Sequence, residues 1–270
     1  EADEHEGEHD EGHEIHSEEL TFNPFSVSVG TVWEYTEGYN FAASLAYSQR
    51  APSAAEVFAF GPHIGSNTYE IGALFDVHAE TEDEFHVDIA GKPEIETSQS
   101  LDLTWRKISG DFGFVVNAFY NQVDDYYFQD FTGFFNGGVH MHDEHEEHAE
   151  EEHEEHDEHG EEESGLPVVH FKQADVKLYG VEAEFAYQVS DEIKWTVYGD
   201  MIRGSLKSGS NLPRIPPARL GSVFDYEQED YSVQFIVNHY FEQDKVAQLE
   251  TQTDGYTMVD MNANYYMTFG

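Results

Sequence analysis

Residues 179–189 read Tyr-Gly-Val-Glu-Ala-Glu-Phe-Ala-Tyr-Gln-Val. The odd positions Tyr179, Val181, Ala183, Phe185, Tyr187 and Val189 are apolar, while Gly180, Glu182, Glu184, Ala186 and Gln188 are polar or small. A period of two is the signature of a β-strand, because successive side chains leave opposite faces of the pleat. Two carboxylates in mid-strand mean that one face meets water while the other is greasy along its whole length.

The same pattern extends in both directions. Downstream, after Ser190-Asp-Glu192, Ile193, Trp195, Val197 and Met201 alternate with Lys194, Thr196 and Asp200. Beyond the Pro-rich run 212–219 come Leu220, Phe224 and Tyr226, then Tyr231, Val233, Phe235 and Val237, and a last strand with Met261, Ala263 and Tyr265 against Asp260, Asn262 and Asn264. Upstream, Phe25, Val27, Val29, Trp33 and Tyr35 pair with Phe41, Ala43, Leu45 and Tyr47 as a tight hairpin. Leu101, Leu103 and Trp105 lead through Ser109-Gly-Asp111 into Phe112, Phe114, Val116, Ala118 and Tyr120.

About nine strands result. Short turns near 37, 109, 191 and 228 alternate with long connections at 50–96, 130–168, 207–216 and 243–255. Strands of about ten residues, aromatic at their ends and greasy on one face only, are too long for a sandwich and match an antiparallel transmembrane β-barrel. Phe25, Leu45, Phe114, Phe185 and Trp195 are expected to face lipid, and Gly180, Glu182, Glu184, Thr196 and Asp260 the lumen. No helical period intrudes, 50–96 reads as irregular, and no apolar run reaches the length of a membrane helix.

The long connections carry the chemistry. Residues 140–163 read HMHDEHEEHAEEEHEEHDEHGEEE and contain His140, His142, His145, His148, His153, His156 and His159 with 14 Asp or Glu residues. A second tract at 1–24 holds His5, His9, His13 and His16. Such tracts lack the apolar surface needed to offset ordering, so they read as solvated loops. Plain acidic disorder, the bland alternative, does not call for a histidine at nearly every third position. Imidazoles and carboxylates are ligands for Zn²⁺, Ni²⁺, Cu²⁺ and iron, and pairs such as His153/His156 share a face if the tract turns helical. A ligand imidazole must be neutral, so capture should fade as pH falls through about 6.5.

Composition narrows the partners. Fifty-six acidic residues against 12 basic ones give a formal charge of −44, which repels nucleic acid and favours cations. There is no Cys, which removes thiolate sites, and five scattered Met do not suggest a Cu(I) site. Outside the tracts, His63 in Gly-Pro-His-Ile-Gly has Glu56 and Glu70 nearby and reads equally as a ligand or a loop cap. His78 and His86 lie among Asp76, Glu80, Glu82, Asp83, Glu84 and Asp88, a smaller version of the tracts. His170 and His239 fall near strand ends and read as structural. Neither a nucleophile motif nor a Gly-rich phosphate loop occurs, so catalysis is not expected.

Two segments resemble a known family. Ser48-Gln-Arg-Ala-Pro-Ser-Ala-Ala-Glu-Val-Phe58, followed by Gly61-Pro-His63 and Thr68-Tyr-Glu-Ile-Gly72, and Leu212-Pro-Arg-Ile-Pro-Pro-Ala-Arg-Leu-Gly221, resemble the barrel of TonB-dependent outer-membrane receptors. The His- and acid-rich loops are most similar to the zinc receptors of that family. The resemblance implies a bacterial outer-membrane protein, with this chain (25–270 as barrel, 1–24 as an extracellular loop) forming the later part of a 22-stranded barrel. It implies lipid around the strands and contact with the TonB complex through a plug domain that this sequence lacks. Without an initiating Met or signal peptide, the chain reads as a mature fragment or a segment of something longer. The expected cargo is zinc, held by His63, Glu70, His78, His86 and the two tracts; Ni²⁺ and Cu²⁺ stay open, as do haem, a siderophore chelate or a passive pore.

Overall fold

The computed structural model describes residues 20–81, 84–89, 91–140 and 165–267, with backbone alone at 138–140. In chain order the elements are β1 (Ser26–Thr36), β2 (Tyr39–Arg50), α1 (Ala54–Phe58), β3 (Phe60–His63), β4 (Thr68–Ile71), β5 (Phe75–Ala79), β6 (Phe85–Ile89), β7 (Glu96–Lys107) and β8 (Phe112–Phe135). They continue with β9 (Val139–His140), β10 (Pro167–Gln188), β11 (Ile193–Leu206), β12 (Arg219–Glu227), β13 (Tyr231–Tyr240) and β14 (Tyr256–Tyr265).

Nine long strands form one antiparallel wall in the order β1-β2-β7-β8-β10-β11-β12-β13-β14. Register puts every alternating apolar set on one face. Leu45 lies opposite Leu101, Leu101 opposite Tyr120, and Tyr120 opposite Tyr179. Farther along, Trp195 meets Phe224, Phe224 meets Phe235, and Phe235 meets Met261. These side chains are exposed, Trp33 by 65% and Met261 by 70%, which only an apolar solvent rewards. A one-residue slip would turn them to the polar side, so lipid on one face fixes the register. No helix among the described residues is long and apolar enough to cross a membrane; the strands are the spanning elements.

The opposite face is hydrophilic. One row runs Thr104, Asn117, Glu182, Asp200, Arg219 across five strands, tied by the Thr104 hydroxyl donating to Asn117 Oδ1 at 2.8 Å and by Arg219 Nε donating to Asp200 Oδ1 at 2.8 Å. Another runs Thr196, Val223, Ile236, Asp260. Gly180, Glu182, Glu184, Thr196 and Asp260 therefore share the lumenal face, as their alternation predicts.

Two local expectations are corrected. Residues 50–96 are not irregular: they contain α1 and four short strands, β3 to β6. The helix is brief and opens on a capping box, in which Ser53 Oγ accepts from Glu56 N–H and the Glu56 carboxylate accepts from Ser53 N–H. The connection at 130–168 is also shorter than expected. β8 runs through Phe135 and β10 starts at Pro167, so this hairpin rises well past its neighbours. It leaves the wall at a register shift between Ala174 and Val176, where Asp125 adopts a φ of 57°, a bulge that re-aims the strands.

The raised hairpin is a platform for loops. β4 adds to β10 in parallel, and β3 pairs with β4. A separate sheet, β5-β6-β9, packs on it through buried Ile71, Phe85 and Val168 with Phe75, Val77, Val87 and Phe134 around them. A second cluster of Val123, Val176 and Leu212 holds the Pro-rich segment at the bulge.

Candidate metal centre

The β5-β6 hairpin positions its side chains by the same period of two. Phe75, Val77, Phe85 and Val87 turn to the buried cluster, so His78, His86 and Asp88 fall together on the other face. His78 and His86 are directly opposite and their rings stack, 5.1 Å between centroids. Both present Nε2 to Asp88 Oδ2, at 3.9 Å from His78 and 3.3 Å from His86. The three ligand atoms lie within 4.8 Å of one another. Neighbouring ligands of a tetrahedral zinc with bonds near 2.0–2.1 Å are roughly 3.3 Å apart, so a small rotation of the His78 ring would complete three corners.

Behind these groups, His86 Nδ1 is shielded from solvent and lies 3.2 Å from Glu80 Oε1. Glu80 is fixed at the hairpin end, where its N–H and that of Thr81 both donate to the Glu84 carbonyl. On the other edge, β9 pairs with β6 in parallel and brings His140 into register with His86. The first residue of the long tract is thus built into this sheet. His142, His145, His148, His153, His156 and His159, like His5, His9, His13 and His16, lie outside the described residues.

His63 and Glu70 are brought near each other, with Nδ1 3.9 Å from Oε1, but both have other work. The Ser66 N–H donates to His63 Nδ1 at 3.2 Å, closing the Gly-Pro-His turn. That lone pair is engaged, which leaves the ring proton on Nε2. Metal binding at Nε2 would require the proton to move to Nδ1 and this bond to break. Glu70 accepts from Gln129 Nε2 at 2.8 Å, and Gln129 Oε1 in turn accepts from Arg214. The geometry supports His63 as a loop cap more than as a ligand.

The remaining histidines are structural, as expected. His170 is buried and donates from Nε2 to the Phe75 carbonyl at 2.8 Å, fastening β5 to β10. Burial holds its pKa below the ordinary histidine value. His239 shares a hydrogen bond with Thr257 Oγ1 at 2.9 Å.

The family-like segments also have physical explanations. Arg50 closes the loop base by donating to Glu56 at 2.8 Å and to Glu96 at 2.7 Å. Burial pushes Glu56 upward, but its hydrogen bonds and the Arg50 charge bring it below the usual carboxylate range. In the Pro-rich run, Leu212 is buried and Arg219 is paired with Asp200.

A wall greasy on one side and polar on the other, with short turns at one end and a loop platform at the other, defines an outer-membrane-type barrel segment. The family model described as TonB dependent receptor-like, beta-barrel matches residues 7–270, and the chain belongs to that family. Solved structures of similar fold include the copper transporter OprC, with a TM-score of 0.64 and 14% identity over 89% of this chain and 31% of that one. The siderophore receptor PirA from Pseudomonas aeruginosa gives 0.54 and 13%, over 90% and 36%. A mutant of the ferric enterobactin receptor PfeA from Pseudomonas aeruginosa gives 0.59 and 14%, over 90% and 32%. This chain spans about a third of the length of those structures. Proteins of the family are receptors and transporters of the bacterial outer membrane, and metal or chelate cargo is common to these neighbours.

Proposed function

We propose that this chain is part of an outer-membrane receptor that captures a transition-metal cation, zinc ahead of Ni²⁺ or Cu²⁺, for TonB-dependent uptake. One observation carries the reading. His78, His86 and Asp88 converge on a loop sheet into which the start of the His140–His159 tract is registered. Two imidazoles and one carboxylate are a borderline N/O donor set, suited to these divalent ions rather than to Cu(I), Ca²⁺ or Mg²⁺. The tract raises the local ion concentration, the hairpin holds an ion in defined geometry, and Glu182, Glu184 and Asp200 offer weaker oxygen ligands below it. An open three-ligand site suits a cargo that must be released inward.

The test is zinc titration of the intact receptor in detergent at neutral pH. Replacing His140, His142, His145, His148, His153, His156 and His159 together should leave the barrel folded and lower the stoichiometry. Adding His78→Ala and His86→Ala should remove the tightest remaining ion. If the fully substituted receptor binds as much zinc as the parent, the loops are only a charged screen. The PirA and PfeA likeness supports a second reading, uptake of an iron chelate; a ferric siderophore, titrated in the same way, would then bind where zinc does not.

A further inference from the structure

We infer that Glu80 is the positioning residue of the hairpin centre, the carboxylate that sets which nitrogen of His86 faces the metal; this rests on the metal reading above. A neutral imidazole carries one proton, and a metal takes the nitrogen without it. His86 turns Nε2 toward Asp88 and His78, and Nδ1 toward Glu80 Oε1 at 3.2 Å. With the ion on Nε2 the proton must stand on Nδ1, and an ionised carboxylate 3.2 Å away, which accepts and never donates, favours it there. Because Nδ1 is shielded from solvent, the carboxylate rather than bulk water faces it.

The arrangement is rigid on both sides. Glu80 follows β5 directly and its backbone is pinned to Glu84, while His86 is held in β6 between His78 and the register position of β9. Sequence distance hides this grouping: Glu80, His86 and Asp88 are separated by six and two residues, yet the hairpin brings them into one line. A carboxylate behind a ligating imidazole generally strengthens metal affinity 10- to 100-fold, by fixing ring orientation and raising ligand basicity.

The experiment uses the intact receptor in detergent with His5, His9, His13, His16, His142, His145, His148, His153, His156 and His159 replaced by Ala, so that neither tract masks the site. Co²⁺ is the probe, read by its visible ligand-field bands, with Zn²⁺ as competitor. His78→Ala should abolish the bands. Glu80→Ala should lower affinity for both ions 10- to 100-fold while the bands at saturation keep their shape, since the direct ligands are unchanged. Glu80→Gln, whose side-chain oxygen can take the same place 3.2 Å from Nδ1, should recover part of that loss. Unchanged affinity in Glu80→Ala would overturn the proposal. So would loss of the bands at every Co²⁺ concentration in both Glu80 variants, which would make Glu80 a turn-forming residue only. Bands that survive His78→Ala would instead overturn the metal assignment of the hairpin, and the role of Glu80 with it.

Discussion

Ala183 and Glu184 are neighbours in β10 with opposite surroundings, which makes them a sensitive test of the membrane reading. Ala183 lies on the apolar face, in register with Val116 and Gly199, midway between Tyr179 and Tyr187. Four residues at about 3.4 Å each, in a strand tilted by about 45°, place Ala183 about 10 Å from either aromatic end, near the middle of an apolar band about 25 Å tall. A lysine there should cost about 2–4 kcal/mol, which is a roughly 30- to 700-fold shift in the folding equilibrium. Alanine has almost no side chain to lose, so the penalty is one of charge in hydrocarbon and not of packing. Glu184 faces the polar side opposite Tyr198 and Val115, where water and carboxylates such as Glu182 are at hand. Glu184→Lys should fold with near-parental yield. The assay is refolding of the receptor into lipid vesicles across a urea series, with the folded fraction read from heat-modifiable gel migration. Equal penalties for Ala183→Lys and Glu184→Lys would show that the two faces see the same solvent, and the barrel assignment of this wall would fail.

Gly221 lies under the Tyr198 ring, where an added Cβ would collide with it, so Gly221→Val should cost about 1–3 kcal/mol, and Tyr198→Ala should relieve most of that in the double variant by the same gel assay. His170 is held neutral by burial, so the undocked loop binds more protons than the docked one as pH falls; docking of β5 should weaken below about pH 6.5, seen as faster hydrogen exchange over Phe75–Ala79, and His170→Gln should flatten that dependence. Arg50 is 44% exposed, so its two carboxylate contacts are screened and Arg50→Ala should cost about 1 kcal/mol, opening α1 to exchange or proteolysis while the wall strands stay protected.

The wall was legible because lipid imposes a rule on every strand at once. With one face in hydrocarbon, Tyr179 to Val189 and its counterparts must alternate, and register follows from turn positions. The loop platform obeys no such rule. β3 to β6 are four or five residues long, and their apolar members, Ile71, Phe75, Phe85 and Val87, read as noise until the β8-β10 hairpin supplies the surface they cover. The length of that hairpin was equally hidden, since Tyr126 to Phe135 look like a strand end and become a free-standing ladder only once Pro167 to Ala174 pair with them.

The site divided along the same line. His78 and His86 stood out by residue type, but a carboxylate counts as a ligand only when something fixes it near the imidazoles, and in a chain with 56 acidic residues composition cannot say which. The signal that could have found Asp88 is its spacing of two from His86, which on a strand puts both on one face. Glu80 needed the turn as well, and so did the surroundings of His63: a histidine between Gly-Pro and Ile-Gly looks available, while the backbone N–H of Ser66, invisible in any motif, donates to its Nδ1. The candidate group of His78, His86 and Asp88 is thus a set of alternate positions on one short hairpin that a raised strand pair holds in place.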